Sequence, residues 1–150
     1  MLQFSIYGRR TIGELELANS DGIAWISIHD PNDPIAEVRF EVPTLELKFH
    51  DLEPQHLQFM DEYTMMTPDQ AEEVIEFVIK QTSNGISHFL VNCDMGWSRS
   101  SGTIVGLSNI FNWRDPEPWE RYSFFNPYVR NLIITTYHKM RNGNGRGSTL

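Results

Sequence analysis

Between Thr67 and about Trp113 the chain reads helix, strand, helix with little left over, and this alternation restricts the fold more than any other feature. "TPDQ" (67–70) offers a capping threonine, a proline suited to the first helical turn and a glutamine where a capping box wants one. Ala71, Val74, Ile75, Val78 and Ile79 then share one face at helical spacing, with Glu72, Glu73, Glu76 and Lys80 off it. "SNG" (83–85) ends that helix. "HFLVN" (88–92) is a short apolar strand, and a second helix is expected from near Ser100 to about Trp113.

The other segments continue the pattern. "LQFSIY" (2–7) and "IAWISI" (23–28) are apolar and rich in strand formers, and the second runs into "HDPNDP", a loop with two prolines. "TLELKF" (44–49) alternates apolar and polar residues and ends at His50-Asp51. "TIGELELA" (11–18) fits a short helix and a strand equally well. A last helix opens at Asn126-Pro127, cap then proline, with Val129, Leu132, Ile133, Thr136, Tyr137 and Met140 in one stripe. Strands alternating with helices predict a single-domain α/β fold, a mostly parallel sheet flanked by helices, over residues 1–141. "NGNGRGSTL" (142–150) has nothing to bury and is expected to be a flexible tail. In such sheets ligands bind beyond the carboxyl ends of the strands. Asp30, Asp51 and Cys93 each fall just past a predicted strand end, so a common rim is expected for them.

Charge and composition exclude several classes. A net charge of −8 argues against general nucleic-acid binding, which is built from Lys and Arg. A small anionic ligand in one local site stays compatible with it. No apolar run approaches the ~20 residues that cross a bilayer. "MLQFSIYGRR" places its apolar residues before its basic ones and does not read as a signal peptide. The single cysteine allows no internal disulfide, and the expected location is cytoplasmic.

That cysteine stands in "VNCDMGWSRSSG" (91–102), between a predicted strand and a predicted helix. A loop there can turn its amide N–H groups inward as an anion nest at the positive end of the helix dipole. Gly96 allows a tight turn, and Arg99 can return over the nest to take two oxygens of an oxyanion. The same field favours a thiolate at Cys93. A small buried cysteine closing a strand would need none of these neighbours.

The C-x5-R-S pattern after a strand resembles the signature loop of cysteine-based protein tyrosine and dual-specificity phosphatases. "ISIHDP", "LELKFHD", the "TPDQAEEVIEFV" helix and "FNPYVRNLIITTY" extend the resemblance, in order, to small phosphatase-like proteins of bacteria and phages. It implies Cys93 as nucleophile, Arg99 as phosphate clamp, and the amides of Asp94, Met95, Gly96, Trp97, Ser98 and Arg99 as cradle. It also implies that Ser100 hydrogen-bonds the thiolate, and that an aspartate on an earlier loop, here Asp51, is the general acid. One position departs from the pattern: Asn92 replaces the histidine that usually precedes the cysteine, which predicts a less acidic thiol.

Glu53 and Asp61 are the alternative acids. The stretch from Leu52 to Met66 is long and Met-rich, and is expected to form a satellite cluster covering the sheet edge, or else a short helix or a lid beside the site. Trp97 is expected to touch substrate or to pack. His29-Asp30 and His50-Asp51 follow strands and do not match a helical metal-ligand set, so no metal or cofactor is expected. Asp30-Pro31 is expected to shape a turn at the rim. The function expected is metal-free hydrolysis of phosphomonoesters, from a phosphotyrosine protein or a small molecule, through phosphocysteine. A phosphate-binding module without turnover and a single-cysteine sulfurtransferase are the alternatives. A disulfide-type reductase would need a second cysteine.

Overall fold

The computed structural model describes residues 2–53, 63–111 and 124–143. The elements run β1 (Gln3–Tyr7), α1 (Arg9–Glu14), β2 (Ile23–His29), β3 (Thr44–Lys48), α2 (Pro68–Ser83), β4 (His88–Asn92), α3 (Arg99–Phe111) and α4 (Pro127–Gly143). Four strands form one sheet in the order β1-β4-β2-β3, and every pairing is parallel. The expected α/β architecture is therefore observed.

Local chemistry explains the starts of α2 and α4. Thr67 accepts from the Gln70 backbone N–H at 3.1 Å and the Gln70 side chain accepts from the Thr67 N–H at 2.9 Å, a complete capping box at α2. Asn126 caps α4, its Oδ1 accepting from the Val129 N–H at 3.2 Å. α4 continues through Gly143, so its last two residues, Asn142 and Gly143, belong to the helix and not to the expected tail. α3 ends at Phe111, and Trp113 lies outside the described residues. The ambiguous segment resolves as α1 followed by an extended run. Ile12 is fully buried from the helix, while Leu15 and Leu17, at strand-like spacing, pack against the same cluster without joining the sheet.

Both faces of the sheet are covered, as a parallel sheet requires. All seven residues of β2 are buried. Phe4, Ile6, Ala24, Ile26, Ile28, Phe89 and Val91 face the main core beneath α2, α3 and α4. Ile23, Trp25 and Leu90 face a smaller cluster with Ile12 and Ala36. Residues 99–107 of α3 are all buried, which makes it the central helix. It packs tightly on α4, since a Cβ on Gly102 would lie 2.7 Å from the Asn126 carbonyl oxygen. β4 sits between β1 and β2, so its exit loop emerges from the middle of the sheet and above the start of α3.

Candidate functional site

β4 delivers Cys93 to the carboxyl edge of the sheet with its side chain 2% exposed. Its Sγ lies 3.1 Å from the Ser100 hydroxyl, which α3 presents from its first turn. The following loop turns at Gly96, whose φ of +75° is the left-handed region that glycine enters without steric cost. A Cβ at Gly96 would stand 2.6 Å from the Gly8 nitrogen and 2.7 Å from the Tyr7 carbonyl carbon. The turn from β1 into α1 thus backs the loop directly. The Cys93 N–H donates to the Tyr7 carbonyl at 3.4 Å and the Arg9 N–H to the Asp94 carbonyl at 2.9 Å, which fasten the two turns together.

Arg99 is buried and fully oriented. Its Nη1 donates to Asp30 Oδ1 and to the Phe49 carbonyl, both at 2.7 Å, and Nη2 reaches Asp94 Oδ2 at a weaker 3.3 Å. Both Nη1 hydrogens are thereby used. Among the described residues the Nε–H has no partner, so the Nε–Nη2 edge is the one able to face a ligand. Asp30 does shape a turn, its carbonyl accepting from the Asp33 N–H at 3.0 Å. Its carboxylate does more than the sequence suggested, because it anchors the arginine from the end of β2.

Asp51 stands at the same rim. Ser98 Oγ donates to its Oδ1 at 2.7 Å and Asn126 Nδ2 to the same oxygen at 2.8 Å. Asp51 is exposed, whereas Asn126 is 3% exposed. The structure thus brings Asp30, Asp51 and Cys93 to one edge, as their positions past strand ends allowed, together with Asp94, Ser98, Arg99 and Ser100. Asp61 and most of the Leu52–Met66 stretch lie outside the described residues. The described ends of that stretch are joined to the site: the His50 N–H donates to the Thr64 carbonyl at 2.7 Å, the Thr64 N–H donates to His50 Nδ1 at 3.0 Å, and the Tyr63 ring meets His50 edge-on at 4.5 Å.

The histidines of the His29-Asp30 and His50-Asp51 pairs both make hydrogen bonds within the protein. His29 is 1% exposed, with Nε2 at 2.6 Å from Glu46 and Nδ1 at 2.8 Å from the Asp30 carbonyl, which clips β2 to β3. Asn92 is turned away from the thiol. Its Oδ1 accepts from the Trp25 indole N–H at 2.8 Å inside the smaller cluster, and its Nδ2 makes only a 3.5 Å contact with the Cys93 carbonyl. Trp97 is 58% exposed and stacks on Phe124 at 6.0 Å between ring centroids, so it packs and lines the rim at once.

Sequence reasoning missed three contributors: Asp30 as anchor of Arg99, Asn126 as donor to Asp51, and the Tyr7–Gly8 turn as backing for Gly96. Position past a strand end was the one signal available for Asp30. Asn126 was visible only as a cap. No family model matches the chain, and no curated protein shows significant similarity to it.

Proposed function

We propose that the protein is a cysteine-dependent phosphatase of the tyrosine or dual-specificity type, hydrolysing phosphomonoesters without a metal. One observation carries the reading: a buried thiol hydrogen-bonded to a serine hydroxyl, at a strand end, on a glycine-turned loop closed by an oriented arginine. Cys93 thiolate attacks phosphorus while Asp51 protonates the leaving oxygen, giving phosphocysteine and a free alcohol or phenol. Water then attacks the phosphocysteine with the Asp51 carboxylate as base. The Ser100 hydroxyl stabilises the departing thiolate. The Nε–Nη2 edge of Arg99 and the amides from Asp94 to Arg99 hold the equatorial oxygens, the long Asp94 contact giving way. Asp30 keeps Nη1 in place throughout.

The exposed Trp97–Phe124 stack beside the loop favours a flat aromatic ester such as phosphotyrosine over a small aliphatic one. Among the described residues no helix is long and apolar enough to cross a membrane. A nucleophilic thiol must stay reduced to act, so we place the protein in the cytoplasm.

The test is a panel of phosphomonoesters with wild-type, Cys93→Ser and Asp51→Asn protein. Wild type is expected to turn over phosphotyrosine, Cys93→Ser to lose turnover but keep binding of an oxyanion such as phosphate, and Asp51→Asn to fall by about 100-fold or more on phosphotyrosine. Rapid iodoacetate alkylation of Cys93 at neutral pH, slowed by phosphate, is expected alongside. Vanadate binding without turnover by the wild type would identify a binding module instead. Absence of both turnover and phosphate protection would overturn the reading.

A further inference from the structure

We infer that Asn126 is a positioning residue for proton transfer, holding the Asp51 carboxylate so that its proton travels on Oδ2. The inference rests on the reading above, in which Asp51 is the acid.

Asn126 is buried and every polar group it has is used. Its backbone N–H donates to the Ser98 carbonyl at 3.0 Å, and its carbonyl accepts from the Arg130 N–H at 3.2 Å. Its Oδ1 caps α4, while Nδ2 donates to Asp51 Oδ1 at 2.8 Å and to the Leu52 carbonyl at 3.3 Å. Capping needs only the side-chain oxygen, and serine, threonine or aspartate supplies that equally well. What only an amide adds is the donor pointing the other way. Pro127 also restricts Asn126 to an extended backbone, which suits the cap position and fixes where the side chain starts.

The contacts close a ring. Ser98 accepts from Asn126 through its carbonyl and donates to Asp51 through its hydroxyl; Asn126 donates to the same Asp51 oxygen. Since Ser98 belongs to the cysteine loop, any movement of the cradle carries the acid with it. Two donors on Oδ1 occupy both of that oxygen's acceptor sites, so a proton on this carboxyl resides on Oδ2. Rotation about the terminal torsion of an aspartate is soft and nearly two-fold. Without the Asn126 amide the two oxygens exchange, and the proton faces the ester for only part of the time.

The thiolate pair of Cys93 forms the S–P bond and the P–O ester bond breaks with its pair on the leaving oxygen. That oxygen takes the proton from Asp51 Oδ2, leaving a carboxylate. In the second step a water proton returns to Oδ2, the new O–P bond forms, and the P–S pair returns to sulfur.

The experiment compares wild type with Asn126→Ser, which keeps a capping oxygen and the backbone N–H but lacks the amide donor. Ser98→Ala removes the other donor to Oδ1 without touching α4 and serves as the second variant. Each is assayed on aryl phosphates whose leaving groups range from dinitrophenol to phenol, with vanadate inhibition as the measure of the cradle. The inference expects kcat to fall by about tenfold or more on phenyl phosphate, little change on the dinitrophenyl ester, and unchanged KM and vanadate affinity. An equal loss across the series, with weakened vanadate binding, would make Asn126 a structural cap alone and overturn the inference. Wild-type kinetics in both variants would overturn it too. No turnover of any ester by the wild type would remove the phosphatase reading and this inference together.

Discussion

Replacing Gly96 by alanine separates the two demands that this position makes. One is conformational, because a φ of +75° costs an L-residue roughly 1–2 kcal/mol. The other is steric: the new Cβ would meet the Gly8 nitrogen at 2.6 Å, the Tyr7 carbonyl carbon at 2.7 Å and the Tyr7 oxygen at 2.9 Å. All three are backbone atoms, so no side chain can swing aside and the β1–α1 turn itself must yield. Overpacking of this kind costs about 1–3 kcal/mol. Gly85 is the control, with φ of +94° and no atom within 4 Å of an added Cβ. Both alanines stiffen the unfolded chain similarly, so that contribution cancels in the comparison. Gly96→Ala should therefore be less stable than Gly85→Ala by about 1–3 kcal/mol in urea unfolding. In a chain of this size each kcal/mol lowers the melting temperature by about 2–4 °C. The displaced loop should also bind vanadate more weakly, whereas Gly85→Ala binds as wild type. Coincident unfolding curves for the two variants would refute the back-to-back packing of the two turns.

Two further outcomes follow from a buried hydrogen bond and a half-buried histidine. Asn92→Leu leaves the Trp25 indole N–H without its acceptor, at a cost of about 1–3 kcal/mol, and a cycle with Trp25→Phe should return a clear positive coupling; additive unfolding energies would mean that the pair contributes nothing. Burial holds His88 below the usual histidine pKa, so the native state resists protonation and stability should be fully present above about pH 6.5 and fall as pH drops below it. The wild type minus His88→Gln difference in unfolding free energy, measured from pH 7.5 to 5, should carry that slope, and a flat difference would show that His88 titrates alike in both states.

Much of the site was legible because it is contiguous. Cys93, Gly96, Arg99 and Ser100 lie within eight residues spanning a strand end and a helix start, and those elements announce themselves through short-range pattern. The capping residues Thr67 and Asn126 were equally readable, since a cap involves only the next few residues. The departure at Asn92 was visible too, but its partner was not. The sequence pointed to a weakened thiol, while the structure assigns the amide to an indole on the other face of the sheet.

What sequence alone determined is therefore most of the elements, α1 excepted, and the set of polar residues held within one loop. Local rules suffice there, because helix caps, strand alternation and glycine turns depend on neighbours along the chain. The strand order was decided only by the tertiary structure, and with it the long-range half of the site. Placing β4 between β1 and β2 puts the Tyr7–Gly8 turn behind Gly96 and Asp30 beside Arg99. Packing α4 against α3 brings Asn126 to Ser98 and Asp51. These pairs lie dozens of residues apart, and hydrogen bonds across such distances leave no periodicity in the chain. They are set by which buried faces pack together, a property of the whole core and not of any one segment.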